Sequence, residues 1–266
     1  MRPLLLALCA LPALAAPSLR DGYRAMYNLD FPAAHGVFAE YQRLHPEDPM
    51  GPVSDAAAYL FGEFDRLHIL QAEFFVRDEH FVTDHRLEPD PDLRRRFEDA
   101  LDVTGRLAAH TPASQNAMLA EVLATGLRAD YMALIEKCYL PSLRQMITAR
   151  ERAEQLLARY PACADAWLAV GVENYMLGIR PAPLRLILRM GGAQTDRATG
   201  LAKLELTAGA GDYLAPFARL MLAVAALRDG RRGEAAARLR GLAGEYPGNA
   251  LYRQELARLG SREDRP

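Results

Sequence analysis

Apolar side chains recur along this chain every three to four residues, the period of one face of an α-helix. Leu143, Met146, Ile147, Ala153, Leu157 and Tyr160 share such a face, with Arg150 as its single charged interruption. Phe97, Leu101, Thr104, Leu107 and Ala108 repeat the pattern further upstream. No alternating run of apolar and polar residues bounded by turn residues stands out, so strands are not expected. Prolines fall where helices of this kind should stop, at Pro32, Pro46, Pro112, Pro141, Pro161 and Pro247. The expectation is an all-α fold.

Four of the predicted helices share a finer pattern. An alanine stands twelve residues before the closing proline, and a second core-type residue stands four after that alanine. The sets are Ala34 and Phe38 before Pro46, Ala100 and Thr104 before Pro112, Ala149 and Ala153 before Pro161, and Ala235 and Leu239 before Pro247. The helices that open each pair carry small residues as well: Gly22 in the first, Gly171 after Trp167 and Val170, and Ala223 after Leu222, with Asp229-Gly230 as a turn. Small residues let paired helices approach closely, and proline stops the second helix so that the chain can reverse. On these residues the chain resembles the tetratricopeptide (TPR) family, built from units of roughly 34 residues that each form two helices.

The resemblance implies a right-handed superhelical solenoid of antiparallel helix pairs, here degenerate and carrying two insertions. The four prolines are spaced 66, 49 and 86 residues apart, and the lengthened stretches are His68 to Pro91 and Arg180 to Thr195. Tyr175 lies one residue past the tyrosine position of the family unit. From Trp167 onward the order is a tryptophan-glycine helix, a proline-containing link, Gly191-Gly192 ahead of Asp196-Arg197, and a last pair closing on Tyr246-Pro247-Gly248-Asn249. That order is similar to a group of exported bacterial TPR proteins of unassigned role.

Residues 1–16 read as a signal peptide, with Arg2 as the charged start, Leu4 to Leu14 as the apolar stretch and Ala13-Leu14-Ala15 around the cleavage point. The stretch is shorter than the roughly 20 residues that span a bilayer. Leu8, directly before Cys9, is not the small residue that lipid attachment favours. Further on, the apolar run Leu220 to Leu227 has only eight residues, so no transmembrane segment is expected in the mature chain. These features predict an exported, periplasmic or envelope-associated protein with one TPR-like domain over residues 17–260 and a disordered tail over 261–266. If Pro141 to Tyr160 is one helix, Cys138 and Cys163 lie about 30 Å apart. A disulfide needs Cα atoms within about 7 Å, so two free and mostly buried thiols are expected.

Charge narrows the function classes. A net charge of −2 and a pI near 6.3, with Lys137 and Lys203 as the only lysines, give no field that would draw in nucleic acid. Apolar residues make up 50% and charged residues 25%, an ordinary globular balance. No nucleophile elbow, phosphate loop or paired-cysteine zinc motif is present. Gly209-Ala210-Gly211 has no strand before it and reads as a turn between helices. His80 and His85, with Asp78, Glu79 and Asp84 beside them, are the weak candidates for metal binding, against a solvated acidic loop. No cofactor and no catalytic residue is assigned. Arg185 and Arg189 flank Leu184, Leu186, Ile187 and Leu188, which suits a buried link or contact with a membrane surface.

What remains is binding. By resemblance, first helices line a concave face that holds a peptide or another helix. The family's carboxylate clamp is absent, because Leu19, Tyr23, Leu168 and Val172 occupy the positions where it places lysine and asparagine. Tyr23, Tyr27, Asn28, Asn174 and Tyr175 are the inner-face candidates, either as contact residues or as packing between helices. The leading expectation is a non-catalytic interaction module for an envelope protein or peptide. The alternative is a binding protein for a lipid or other small apolar ligand in a pocket closed by the inserted loops, and a third is an enzyme built on the His80/His85 loop.

Overall fold

The computed structural model describes residues 18–70 and 87–263. Among these residues there is no strand, and twelve α-helices carry the fold together with one π-helical and one 3-10 turn. Helix α1 (Leu19–Tyr27) packs on α2 (Phe31–Leu44), and α3 (Met50–Arg66) on α4 (Pro91–His110). Next, α5 (Gln115–Asp130) continues through a π turn (Tyr131–Ile135) and packs on α6 (Tyr139–Arg159). After a 3-10 turn (Ala164–Ala166), α7 (Trp167–Gly178) runs past the outlying α8 (Ala182–Met190) and packs on α9 (Arg197–Ala210). Last come α10 (Ala215–Arg228) on α11 (Arg232–Glu245), then α12 (Ala250–Glu263).

Local chemistry explains the boundaries. Asp30, Asp90, Ser114 and Asp196 stand ahead of α2, α4, α5 and α9, and each side chain accepts a backbone N–H of the first turn that has no partner within its helix. Helices α2, α4, α6 and α11 all stop two residues short of a proline. The residue between, His45, Thr111, Tyr160 or Tyr246, takes nearly the same non-helical backbone each time, with φ of −130°, −134°, −128° and −122°. Proline excludes the helical conformation from the residue before it, so one local rule produces four equivalent ends.

The small residues lie where close packing requires them. A Cβ at Gly22 would sit 2.3 Å from the Phe38 ring, and one at Gly200 would sit 2.4 Å from the Tyr175 backbone nitrogen. Ala34, Phe38, Thr104, Ala149, Ala153, Ala235 and Leu239 are buried, and Ala100 is half-buried. Phe31 at the start of α2 meets Gly62 late in α3, while Gln42 late in α2 meets Gly51 early in α3, so these two helices run antiparallel.

The first described helix meets the C-terminal helices. The Tyr27 hydroxyl donates to the Tyr213 carbonyl at 3.1 Å, and the Asn249 amide donates to the Tyr27 carbonyl at 3.1 Å. The Gly248 N–H donates to Asn28 Oδ1 at 2.8 Å, Arg20 pairs with Asp212, and the Tyr23 and Tyr213 rings stack at 5.1 Å. One continuous apolar core therefore runs from Leu19 to Leu259.

Two expectations need correction. Helix α8 is not a buried link, because none of its residues is buried and Met190 is 83% exposed. Its arginines fasten it instead of snorkelling: Arg185 donates to the Gly178 carbonyl and Arg189 to the Thr195 hydroxyl, which leaves Leu186, Ile187 and Met190 facing out. Both cysteines are free, but only Cys163 is buried, since Cys138 lies on the exposed connection ahead of α6. Helix α12 ends at Glu263.

Candidate functional site

The inward faces of α1, α3, α5, α6, α7 and α10 surround a cavity of about 180 Å³. A water molecule's share of the liquid is about 30 Å³, and an apolar cavity of about 150 Å³ holds benzene. The space exists because small residues stand where larger ones would fill it: Ala57, Gly126, Ala129, Ala133, Ala149 and Ala169. Larger walls come from the rings of Tyr23, Tyr27, Phe61 and Phe217 and from Met26, Met146, Met176 and Met221. Four of the chain's nine methionines thus line one space, and their unbranched thioethers adapt to irregular shapes.

Two carboxylates border this apolar volume. Asp165, in the 3-10 turn, is only 4% exposed and accepts three backbone N–H groups. They come from Asp212 at 3.1 Å, Tyr213 at 3.2 Å and Leu214 at 2.9 Å, and they fix the loop that starts α10. Burial raises the Asp165 pKa, and the three N–H groups act against that rise.

Asp130 closes α5, one residue before the π turn. Such turns often mark functional sites, and this one carries Ala133 and Leu134 into the lining. Among the described residues the Asp130 carboxyl has no hydrogen-bond or ion-pair partner. Asp130 is half-buried and forms part of the cavity wall. Burial alone pushes its pKa up to about 7.

The inner-face candidates are distributed differently from expectation. Tyr23 and Tyr27 are buried and line the cavity, with hydroxyls already engaged: Tyr23 with Ser54 at 3.2 Å and Tyr27 with the Tyr213 carbonyl. Asn28 is half-buried and joins the chain ends through Gly248. Asn174 is buried, donates to Gln194 at 2.7 Å and accepts the Asp196 N–H at 3.1 Å. Tyr175 is fully buried against α9, and its hydroxyl has no partner. The five residues therefore do not form one open face.

Asn174 belongs to a network that pins the second insertion. Glu173, fully buried, accepts the Gln194 N–H at 2.7 Å and lies 3.4 Å from Arg150, which also donates to the Gly192 carbonyl at 3.0 Å. The charged interruption on the face of α6 is thus a buried ion pair that holds residues 192–196. No residue of 180–195 lines the cavity, so its walls are the main helices and not this insertion. Residues 71–86, with His80 and His85, and residues 1–17, where a signal peptide is expected, lie outside the described residues. Among the described residues no group of three His, Cys, Asp or Glu could hold a metal ion, and no helix is long and apolar enough to cross a membrane.

Sequence reasoning missed Asp130, Asp165 and Gly126. A signal for Asp130 was present, since it is the one acid on the stripe Leu119, Val122, Leu123, Gly126, Leu127 and Leu134. Asp165 carries no local signal, because its partners are 47 to 49 residues away. A scan against family models and searches of curated proteins and of solved structures return no match.

Proposed function

We propose that this protein is an exported binding protein for a small apolar molecule, held in the central cavity of a closed, TPR-like array of helix pairs. The observation that carries this reading is the cavity itself. Six helices turn small or adaptable side chains toward one space, and positions 168 and 172, where the TPR clamp places polar residues, are here Leu168 and Val172 in its wall. Pockets of this kind, apolar with few polar groups, are the usual sites for small ligands. The four equivalent proline-bounded helix ends and the close contact at Gly22 support the repeat reading. No catalytic group is part of the proposal.

One observation favours a second reading, an interaction module for an envelope protein or peptide. It is the outward apolar face of α8, formed by Leu186, Ile187 and Met190. The inner-face tyrosines support that reading less, because Tyr23 and Tyr27 are packed under Tyr213 and Tyr246 and Tyr175 is buried against α9.

Thermal unfolding in the presence of toluene separates the two. Toluene is expected to raise the melting temperature of the wild type and leave Gly126→Leu unmoved, because that side chain projects into open space in the cavity wall. Absence of any shift in the wild type across a series of small aromatic and aliphatic molecules overturns the ligand-binding reading.

A further inference from the structure

The cavity contains a chemical preference beyond apolarity. We infer that Asp130 is the anchor of the cavity and that the ligand is a small apolar amine, its ammonium group paired with this carboxylate. The inference rests on the reading of the cavity as a ligand site.

Several features converge on a cation. The lining has no lysine, arginine or histidine, so among the described residues nothing balances a charge at Asp130. The other titratable groups that face the space are already engaged. Asp165 accepts three backbone N–H groups, and the hydroxyls of Tyr23 and Tyr27 have partners on the protein. From α3, α6, α7 and α10 only uncharged residues line it, and burial is the sole influence on Asp130.

Aromatic faces supply the second element. The rings of Tyr23, Tyr27, Phe61 and Phe217 border the same volume, and ring faces attract a desolvated cation. A carboxylate with spare lone pairs, four rings and no competing cation suits an organic ammonium. An alcohol would occupy one lone pair and leave the charge unbalanced. At about 180 Å³, the space admits one ring with a short aminoalkyl arm.

Protonation links the amine to pH. Below neutral pH Asp130 holds a proton in the empty cavity, and binding an ammonium ion releases it. Amine affinity should therefore rise between pH 5 and 8, whereas an uncharged ligand should bind equally across that range.

Titration calorimetry of the full mature chain with toluene, benzyl alcohol and benzylamine tests this, in the wild type and in Asp130→Asn. The expected result is toluene bound equally by both proteins. Benzylamine should bind at least about tenfold more tightly to the wild type, with an affinity that rises with pH only there. If toluene binds both but benzylamine shows no preference for the wild type, the anchor is overturned while the cavity reading survives. Benzyl alcohol binding more tightly than benzylamine at pH 8 also overturns it. If toluene does not bind either, both readings fail together.

Discussion

Asp165 and Asp130 stand at two places on the wall of one apolar cavity, and the protein treats them in opposite ways. Burial raises the pKa of both. At Asp165 three backbone N–H groups meet the carboxylate and work against that rise, and the same bonds fasten the start of α10 to the turn before α7. At Asp130 no described residue meets it. A carboxyl partly withdrawn from water without a donor is costly, and folded proteins seldom keep one without a use. The comparison separates a carboxylate that builds the structure from one that the structure leaves available.

The largest expected effect breaks the comparison through pH. The folded chain holds the Asp130 proton up to about pH 7, whereas an unfolded chain loses it near the ordinary value of 3.8. Between those values the folded state binds more protons, so stability falls as pH rises across the window. The fall from this one group is about 4 kcal/mol, and it is complete above the folded value. Urea unfolding of wild type and Asp130→Asn from pH 4 to 8 reads it as a difference that grows with pH in favour of the variant. A difference that stays flat across the range would show that the carboxyl has a partner.

Next in size is Asp165→Ala, which leaves the N–H groups of Asp212, Tyr213 and Leu214 without their acceptor. A loss of about 3 kcal/mol is expected in urea unfolding at pH 7. Asp130→Ala under the same conditions should be neutral or stabilising. If the two substitutions cost the same, the distinction between the carboxylates collapses.

What the sequence made legible was local. The four helix ends depend on a proline and the residue before it, and the close contacts at Gly22 and in the Ala-to-Pro helices depend on packing between neighbours in the chain. The site depends on residues far apart. Asn28 and Gly248, which join the first helix to the stretch before the last, are 220 positions apart. Tyr23 and Tyr27 were identifiable as inward-facing, but not as covered by Tyr213 and Tyr246. Small residues such as Gly126 and Ala169 read in sequence as marks of tight packing, whereas here they leave a void. Nothing within a short window distinguishes those two uses.

A pair of glycines repeats the contrast at smaller scale. Gly211 lies beside Asp165, and a Cβ there would sit 2.7 Å from the carboxylate Oδ1 and 2.7 Å from the Thr207 carbonyl. Gly211→Ala should therefore cost about 2 kcal/mol. It should cost less in an Asp165→Ala background, because the two residues share one contact. Gly126 lies on the Asp130 side, in the middle of α5, and a Cβ there would meet nothing within 4 Å. In a helix interior, replacing glycine by alanine reduces the freedom of the unfolded chain, and with no clash to oppose it Gly126→Ala should stabilise by about 1 kcal/mol in thermal or urea unfolding. The added methyl should leave toluene binding in place while reducing the room for larger ligands. A destabilised Gly126→Ala would mean that the space beside Asp130 is already filled, and the carboxyl would then no longer face an open cavity.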